Sequence, residues 1–295
     1  MIHAAAVAIA ILSGCPEHDS TSSSETLRIG HALRRERRLE DAVTCYRILT
    51  RAHPRFAEGW FELSAAEQDV GDLRAAAESL MKGLKLKPSA PGRLSAYGVL
   101  LQLSGRIDEA REAYRRAIAQ APEDAEPHFN LGTLEEGAGE HVRALTAYRQ
   151  ALSLEPPDEA RIHNNMGGVL AAMGDVGGAL AAYREATEVD PGLADGWHNL
   201  GNVMLAQGRY AEAESHVLRA LKLSPAHPKA GRKLEHVRAE ATKQWQEQVE
   251  AEQQAALIEE AARACSDDEQ DQSNCFQDEL QELSQRLDAD GPMVV

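Results

Sequence analysis

The sequence predicts an all-α solenoid of stacked helix–turn–helix units, and two regular series of residues support this prediction. Prolines recur every 34 or 35 residues, at positions 54, 88, 122, 156, 191 and 225. Glycines recur with the same period, at positions 71, 105, 139, 174 and 208. A period of this length is typical of helical repeats that bury their apolar faces only by stacking on their neighbours. The aromatic content of 4% also favours closely packed helices over a β-sandwich.

The residues between these punctuation marks resemble the tetratricopeptide repeat, which places large, small and aromatic residues at fixed positions of a 34-residue unit. The third unit shows the pattern with Leu94, Tyr97, Gly98, Leu101, Ala110, Tyr114, Ala117 and Pro122. The first unit lacks the turn glycine, and the second has Ser64 and Gly83 where the family has glycine and alanine. The resemblance implies a right-handed superhelix of six repeats, at residues 23–56, 57–90, 91–124, 125–158, 160–193 and 194–227.

Each repeated position has a physical role in this pattern. A glycine at position 8 and an alanine at position 20 let the first helix of a repeat (helix A) approach the second (helix B). The aromatic residue at position 24 is expected to fill the wedge between successive repeats. The glycine at position 15 turns the chain between the two helices, and the proline at position 32 ends helix B.

The N-terminus predicts a membrane anchor. Residues 4–12 are apolar, and Leu12, Ser13, Gly14 and Cys15 follow as a motif that resembles the lipobox of bacterial lipoproteins. The resemblance implies a signal peptide at 1–14, acylation of Cys15 with fatty acids such as palmitate, and a polar tether at 15–24. The expected location is the bacterial cell envelope, facing the periplasm, with the outer membrane favoured. Ordinary secretion and a cytoplasmic protein are the alternatives.

The C-terminal end predicts a cap and an acidic segment. Apolar residues such as Leu234, Val237 and Trp245 recur at helical spacing on a charged background, which predicts a long capping helix over 228–264. Residues 244–295 contain two basic and 14 acidic side chains. The acidic segment 265–295 has a possible short helix at 276–287. Cys265 and Cys275 form a disulfide if the protein is exported and are free thiols otherwise, whereas Cys45 is predicted to be a small packing residue.

Several function classes are excluded by composition and motifs. The formal net charge of −16 argues against a nucleic-acid partner, because such proteins need a basic surface. No catalytic signature and no metal-ligand spacing occurs, so we expect no enzyme, no cofactor and no small-molecule substrate. The acidic residues near position 268 lack the spacing of a calcium loop.

The candidate binding residues lie on the concave face that the A helices form in this family. Asparagine occupies position 6 of three consecutive repeats, and further polar residues stand beside it; the set is Asn130, Arg161, Asn164, Asn165, Asn199 and Asn202. Such a series resembles the peptide-binding groove of some tetratricopeptide proteins, since an amide can bond a peptide main chain whatever its side chains. The alternative is a polar face that is only solvated. Of the basic residues, only Arg161 fits the groove.

These observations predict a non-enzymatic scaffold that binds a partner protein or an extended peptide and is anchored to a membrane by lipid. Six repeats behind a lipobox resemble the pilotin lipoproteins of type IV pilus assembly and other envelope assembly lipoproteins. Two alternatives remain open at this point. One is a soluble cytoplasmic adaptor, and the other is an accessory subunit of an enzyme complex such as a glycosyltransferase-like system.

Overall fold

The computed structural model describes residues 22–264 and, beyond them, residues 277, 278, 280–282 and 285. Within these residues there are helices and no β-strand, which confirms the predicted all-α solenoid with a long C-terminal helix. The signal peptide, Cys15, most of the tether, Cys265 and Cys275 lie outside the described residues. Every described residue within 276–287 is helical.

The chain divides into an N-terminal part that ends at Pro191 and a C-terminal part that begins at Gly192. The described helices of the N-terminal part are α1 (Ser23–Arg35), α2 (Leu39–Ala52), α3 (Ala57–Asp69), α4 (Leu73–Leu86), α5 (Pro91–Leu103), α6 (Ile107–Gln120), α7 (Ala125–Gly137), α8 (His141–Leu152), α9 (Glu159–Ala172) and α10 (Val176–Val189). Those of the C-terminal part are α11 (Ala194–Ala206), α12 (Tyr210–Leu223) and α13 (Ala230–Ala264). Odd-numbered helices up to α11 are A helices, and even-numbered ones are B helices.

A tyrosine of helix B covers a glycine of helix A in several repeats. A Cβ atom at Gly98 would lie 2.5 Å from Cε1 of Tyr114, and a Cβ at Gly132 would lie 2.5 Å from Cδ1 of Tyr148. Both rings are fully buried. The aromatic residue at position 24 thus fills the space between the helices of its own repeat. The two helices can pack this closely only because the glycine has no side chain.

Repeat 2 exchanges the two partners between its helices, which explains its departure from the family pattern. Here the glycine is Gly83 on helix B, and a Cβ there would collide with the ring of Phe61 on helix A. Phe61 is 2% exposed, so the ring fills the same kind of space as the tyrosines do in the other repeats. Ser64, which stands at the position of the missing glycine, is buried as well.

The glycines at position 15 turn the chain between helices A and B with a left-handed backbone. The φ angle is 75° at Gly105 and 77° at Gly139. Repeat 1 lacks this glycine, and Arg37 adopts the same conformation with φ at 63°. A left-handed conformation costs a residue with a Cβ about 1–2 kcal/mol relative to the right-handed region. Repeat 1 therefore contains a strained turn.

We expect Arg37→Gly to raise the free energy of unfolding by about 0.5–1 kcal/mol, because the relieved strain exceeds the added entropy of the unfolded chain. Denaturant unfolding monitored by circular dichroism measures the change. Arg37→Ala is the matched control, since it removes the same charge but keeps a Cβ in the strained turn. An equal gain for both variants would attribute the effect to the charge and contradict the role of the backbone.

The one extra residue of the period lies in the connection between α8 and α9. Helix α8 has 12 residues, whereas α10, its counterpart in the next repeat, has 14. In the connection Glu155 has a left-handed backbone with φ at 51°. The two prolines Pro156 and Pro157 follow and restrict the chain before α9 begins. The insertion thus shortens a B helix and leaves the next repeat in register.

Two buried glutamates connect successive repeats. Both stand at position 11 of helix A, where the family has tyrosine. Glu67 on α3 accepts hydrogen bonds from Arg47 of α2 (3.0 Å) and from the hydroxyl of Ser79 on α4 (2.7 Å). Glu135 on α7 accepts two bonds from the guanidinium of Arg111 on α6, at 2.7 and 3.0 Å. Each carboxylate therefore joins helix A to helix B of the preceding repeat.

The first half of α13 caps the last repeat within the C-terminal part. Ala230 is fully buried and packs with Val217 and Ala220 of α12, and Leu234 lies against the same cluster. Farther along, the side chain of Trp245 is 59% exposed. The regular apolar spacing over 228–264 predicted the helix correctly, but only its beginning is used for packing against the repeat.

Candidate functional site

Asn130 on α7 is held by polar side chains of two helices. Its Nδ2 donates to the hydroxyl oxygen of Ser95 on α5 (3.1 Å) and lies 3.5 Å from a carboxylate oxygen of Glu126. The Ser95 hydroxyl in turn donates to Glu126 (3.3 Å) and is buried. The amide of Asn130 is half-buried, and these bonds orient it with respect to the helices.

Asn165 on α9 occupies the equivalent position of the next repeat. Its Nδ2 donates to the hydroxyl oxygen of Tyr148 on α8 (3.4 Å), and this hydroxyl donates to the carboxylate of Glu136 (2.6 Å). Burial, and then the bond to Glu136, raise the pKa of Tyr148, so the hydroxyl keeps its proton at neutral pH. The carboxylate, the phenol and the amide form one oriented chain of hydrogen bonds.

These bonds use the donors of the two amides and leave their acceptors. Within the described part of the chain, no donor bonds the Oδ1 atom of Asn130 or of Asn165. The sequence predicted amides that offer both donors and an acceptor to a peptide. The structure narrows this prediction for the two residues, because their carbonyl oxygens are the groups that remain for a ligand.

An aromatic ring and a cation stand beside the two amides. The guanidinium of Arg161 on α9 lies 5.5 Å from the ring centroid of Phe129 on α7 and pairs with Asp158 (3.0 Å). The side chain of Arg161 is 59% exposed, and Phe129 is half-buried. The ring of Phe129 also lies 6.0 Å from that of Tyr148. This aromatic contact and the two amides thus belong to the same pair of A helices.

A cavity of about 500 Å³ opens next to Phe129, at the N-terminal ends of α7 and α9. The loop with the extra residue forms one of its walls. Apolar side chains and five carboxylates surround it; the lining residues are Glu123, Asp124, Ala125, Glu126, Phe129, Leu154, Glu155, Pro156, Pro157, Asp158 and Ile162.

The remaining predicted site residues lie in different surroundings. Asn164 is half-buried on α9. Asn199 and Asn202 are half-buried on α11 of the C-terminal part, and Nδ2 of Asn202 lies 3.2 Å from Nε2 of His198. A continuous series from Asn130 through Asn199 stays a prediction.

The C-terminal part also contains basic residues that the sequence analysis did not single out. Lys229, Arg232 and Lys233 at the start of α13 border a cavity that His198 and Asn202 share. The expectation that Arg161 is the basic residue of the groove therefore omitted these three. Lys229 and Lys233 stand four residues apart on one helix face, which is the signal that could have found them.

Cys45 is fully buried in α2 and is disulfide-bonded. The sequence predicted only a packing residue at this position. The other three cysteines, Cys15, Cys265 and Cys275, lie outside the described residues. Because a sulfur atom in a disulfide cannot also carry a lipid, and each cysteine pairs once, this bond is incompatible with having both acylation at Cys15 and a Cys265–Cys275 disulfide.

Two further features were searched for in the described residues. They contain no group of three or more side chains placed to bind a metal ion. They also contain no helix whose length and apolar character would let it cross a bilayer.

The chain was compared with known sequences. The family model described as tetratricopeptide repeat matches residues 27–92, 98–159 and 164–228, which is more than half of the chain. Cellulose synthase 2 operon protein C of Komagataeibacter xylinus is 35% identical over 130 residues, covering 40% of this chain and 10% of that protein. Human protein O-mannosyl-transferase TMTC3 is 27% identical over 142 residues, covering 43% of this chain and 16% of that protein. The chain thus spans less than a fifth of the length of either relative.

Solved structures share the fold. The MamA protein is 25% identical with a TM-score of 0.54, over 56% of this chain and 90% of that chain. PilF of Pseudomonas aeruginosa is 18% identical with a TM-score of 0.58, over 74% and 97%. PilW, described as a widely conserved type IV pilus biogenesis factor, is 17% identical with a TM-score of 0.60, over 73% and 97%. At these identities PilF and PilW show the fold alone. The family match and the repeated helix pairs together establish that the chain belongs to the tetratricopeptide repeat family.

Proposed function

We propose that this chain is a non-enzymatic scaffold that binds an extended segment of a partner protein on the concave face of its A helices. The tetratricopeptide repeat fold supports a role in protein–protein interaction. The finer proposal is carried by the half-buried amides of Asn130 and Asn165 on consecutive A helices. Each keeps its carbonyl oxygen for an N–H donor, and a peptide main chain supplies such donors whatever its sequence.

The neighbouring Phe129 and Arg161 extend this surface. An aromatic ring gives apolar contact area to a peptide side chain at little cost in conformational entropy. The guanidinium of Arg161 is mostly exposed and can donate to main-chain carbonyl oxygens of the same peptide. Acceptors on the amides and donors on the arginine would thus bond both kinds of main-chain group.

Site-specific photocrosslinking tests the proposed surface. We expect p-benzoyl-phenylalanine in place of Arg161 to crosslink the partner, and the same residue in place of Arg149, exposed on helix α8, to give no such product. Adding Asn130→Ala and Asn165→Ala should lower the yield at position 161 about tenfold, because two hydrogen bonds to the peptide are lost. Equal products at both positions, or a yield that does not depend on the two amides, would refute the proposal.

We further propose that the scaffold is anchored by lipid on Cys15 in the bacterial envelope and acts in the assembly of a pilus or secretion complex. The motif Leu12-Ser13-Gly14-Cys15 after an apolar run supports the anchor. Two or three acyl chains hold a protein on a membrane durably, whereas one chain is marginal. The shared fold with PilW, a type IV pilus biogenesis factor, is compatible with the assembly role.

Intact mass and membrane fractionation of the native protein test the anchor. We expect the wild-type chain to begin at Cys15, to carry acyl mass and to sediment with membranes, and Cys15→Ala to remain full-length and unacylated. Cys45→Ser is the control, because it removes the buried disulfide without touching the motif. An unacylated wild-type protein with Cys15 in a disulfide, shown by a mass gain after reduction and alkylation, would exclude the anchor.

A second candidate is an accessory subunit of an enzyme complex whose catalytic chain is separate. The identity of 35% to cellulose synthase 2 operon protein C over 130 residues favours it. The matched segment is a tenth of that protein, so its role is not transferred with the match. Co-purification of a glycosyltransferase with the wild-type chain, lost in the variant without Asn130 and Asn165, would support this candidate over a pilus or secretion component.

A further inference from the structure

The C-terminal part contains a basic cavity between α11 and the start of α13. It has a volume of about 380 Å³ and is lined by His198, Asn202, Lys229, Arg232, Lys233 and His236. None of these residues is acidic, although acidic residues outnumber basic ones by 47 to 31 in the chain. No carboxylate among the described residues pairs with Lys229, Arg232 or Lys233, whereas Arg238 farther along α13 pairs with Glu214 at 2.7 Å.

A buried histidine of this cavity lacks a hydrogen-bond partner. His198 is 5% exposed, and its Nε2 lies 3.2 Å from Nδ2 of Asn202. The second ring nitrogen, Nδ1 of His198, and the Oδ1 atom of Asn202 are both buried without a partner. Buried polar atoms in proteins are nearly always hydrogen-bonded, so two unpaired atoms in one cavity point to a ligand.

His227 lies next to His198 but does not satisfy it. The ring centroids are 4.9 Å apart. Nδ1 of His227 accepts the backbone N–H of Ala230 at the start of α13 (3.1 Å), and its Nε2 bonds Asp195 (2.9 Å). Both nitrogens of His227 are therefore engaged, and the ring ties the beginning of α13 to α11.

His198 is neutral at physiological pH. Burial first, and then His227, Lys233 and Lys229, lower its pKa to about 4, while Asp195 acts in the opposite direction. A neutral imidazole that accepts from Asn202 at Nε2 has its proton on Nδ1. The pair then offers one free donor, Nδ1–H, and one free acceptor, Oδ1. Exchanging the amide atoms and the tautomer together still leaves one of each.

We propose that the basic cavity binds an internal acidic segment of a partner protein. One peptide group of the segment bonds His198 and Asn202, and an Asp or Glu carboxylate beside it lies among Lys229, Arg232 and Lys233. The inference deepens the proposed function, on which it rests, by assigning a second contact to the same kind of partner.

The unpaired donor and acceptor favour a peptide over a bare anion. A peptide group has a C=O for the donor and an N–H for the acceptor, so it satisfies both atoms at once. A carboxylate or a fully ionised phosphate has acceptors only and would leave Oδ1 of Asn202 unpaired. The three cations supply the attraction for the carboxylate, and burial of the imidazole strengthens the bonds that it makes.

Fluorescence anisotropy with the full chain tests the proposal. The probe is a short carboxyfluorescein-labelled peptide of alternating glutamate and glycine with an amidated C-terminus, and the control probe has glutamine in place of glutamate. We expect the acidic probe to bind more tightly, and Lys233→Glu to weaken it about tenfold or more. Lys243→Glu is the matched control, because Lys243 lies on α13 outside the cavity and is 68% exposed. Equal loss in both variants would reduce the effect to net charge and overturn the site.

The imidazole of His198 gives a second readout that a purely structural role would not produce. We expect its NMR titration midpoint to rise when the acidic probe binds, because a carboxylate nearby favours the protonated ring. Asn202→Ala should weaken the probe without removing its preference for glutamate over glutamine. An unchanged midpoint at saturating probe would overturn the assignment of this cavity.

Two competitors decide between the sources of the acidic group. If inorganic phosphate displaces the probe as effectively as unlabelled acidic peptide does, the site is a simple anion site and the peptide assignment is wrong. If the probe binds only after the chain's own acidic residues Asp267, Asp268, Glu269 and Asp271 are replaced by amides, the chain's C-terminal segment is the occupant and the partner is excluded. Absence of binding in every case overturns the site itself. Because crosslinking at position 161 reports on the N-terminal part alone, it can succeed while this inference fails.

Discussion

Arg111→Met is expected to lower the free energy of unfolding by about 3–5 kcal/mol, because it leaves a buried carboxylate without its partner. The side chain of Glu135 is 3% exposed, and that of Arg111 is 15% exposed. The guanidinium reaches both carboxylate oxygens in parallel, at 2.7 and 3.0 Å. Methionine retains the apolar stem of the arginine, so the loss reports mainly on the uncompensated charge.

Two further variants separate the cost of the isolated charge from the loss of packing. The double variant Arg111→Met, Glu135→Met should recover most of the stability, since a buried ion pair and an apolar pair of similar volume are often equivalent. Arg106→Met removes an exposed pair with Glu109 on the same helix, at 2.7 Å, and should cost less than about 1 kcal/mol. Urea unfolding measures all three. A loss for Arg111→Met no larger than for Arg106→Met would mean that water reaches Glu135 in the native state.

The helix pairs could be predicted from the sequence because their signals are local and repeated. Gly98 and Tyr114, or Gly132 and Tyr148, stand sixteen residues apart in one repeat, and the same spacing recurs along the chain. The ion pair of Arg111 and Glu135 could not be predicted in this way. A glutamate at a tyrosine position was visible, but its partner belongs to the preceding repeat and has no counterpart at that position in the others.

The candidate site shows the same limit. The helical register placed Asn130 and Asn165 at equivalent positions, but their bonds to Ser95 and Tyr148 depend on side-chain conformations that a register does not specify. The basic cavity depends on the packing of α13 against α11. A pattern of charges along α13 describes an exposed helix equally well, so Lys233 acquires its meaning only from the buried His198 beside it.

Gly132→Ala is expected to lower the free energy of unfolding by about 1–3 kcal/mol, although alanine is the better helix former by about 1 kcal/mol. The new Cβ would lie 2.5 Å from Cδ1 of Tyr148, a ring with no exposed surface. The matched control is Gly137→Ala on the same helix, where a Cβ would meet no atom within 4 Å. This control should be neutral or slightly stabilising. Thermal unfolding compares the two variants, and equal stability would show that the ring moves aside freely.

The same substitution should also weaken the proposed partner surface, because Tyr148 connects the packing of repeat 4 to Asn165. A displaced ring moves the hydroxyl that accepts from the Asn165 amide at 3.4 Å and donates to Glu136 at 2.6 Å. Crosslinking from position 161 should therefore fall in Gly132→Ala and stay unchanged in Gly137→Ala, at a temperature where both remain folded. If stability falls while crosslinking is retained, Asn165 is oriented by something other than Tyr148. The tyrosine would then support the fold without positioning the amide.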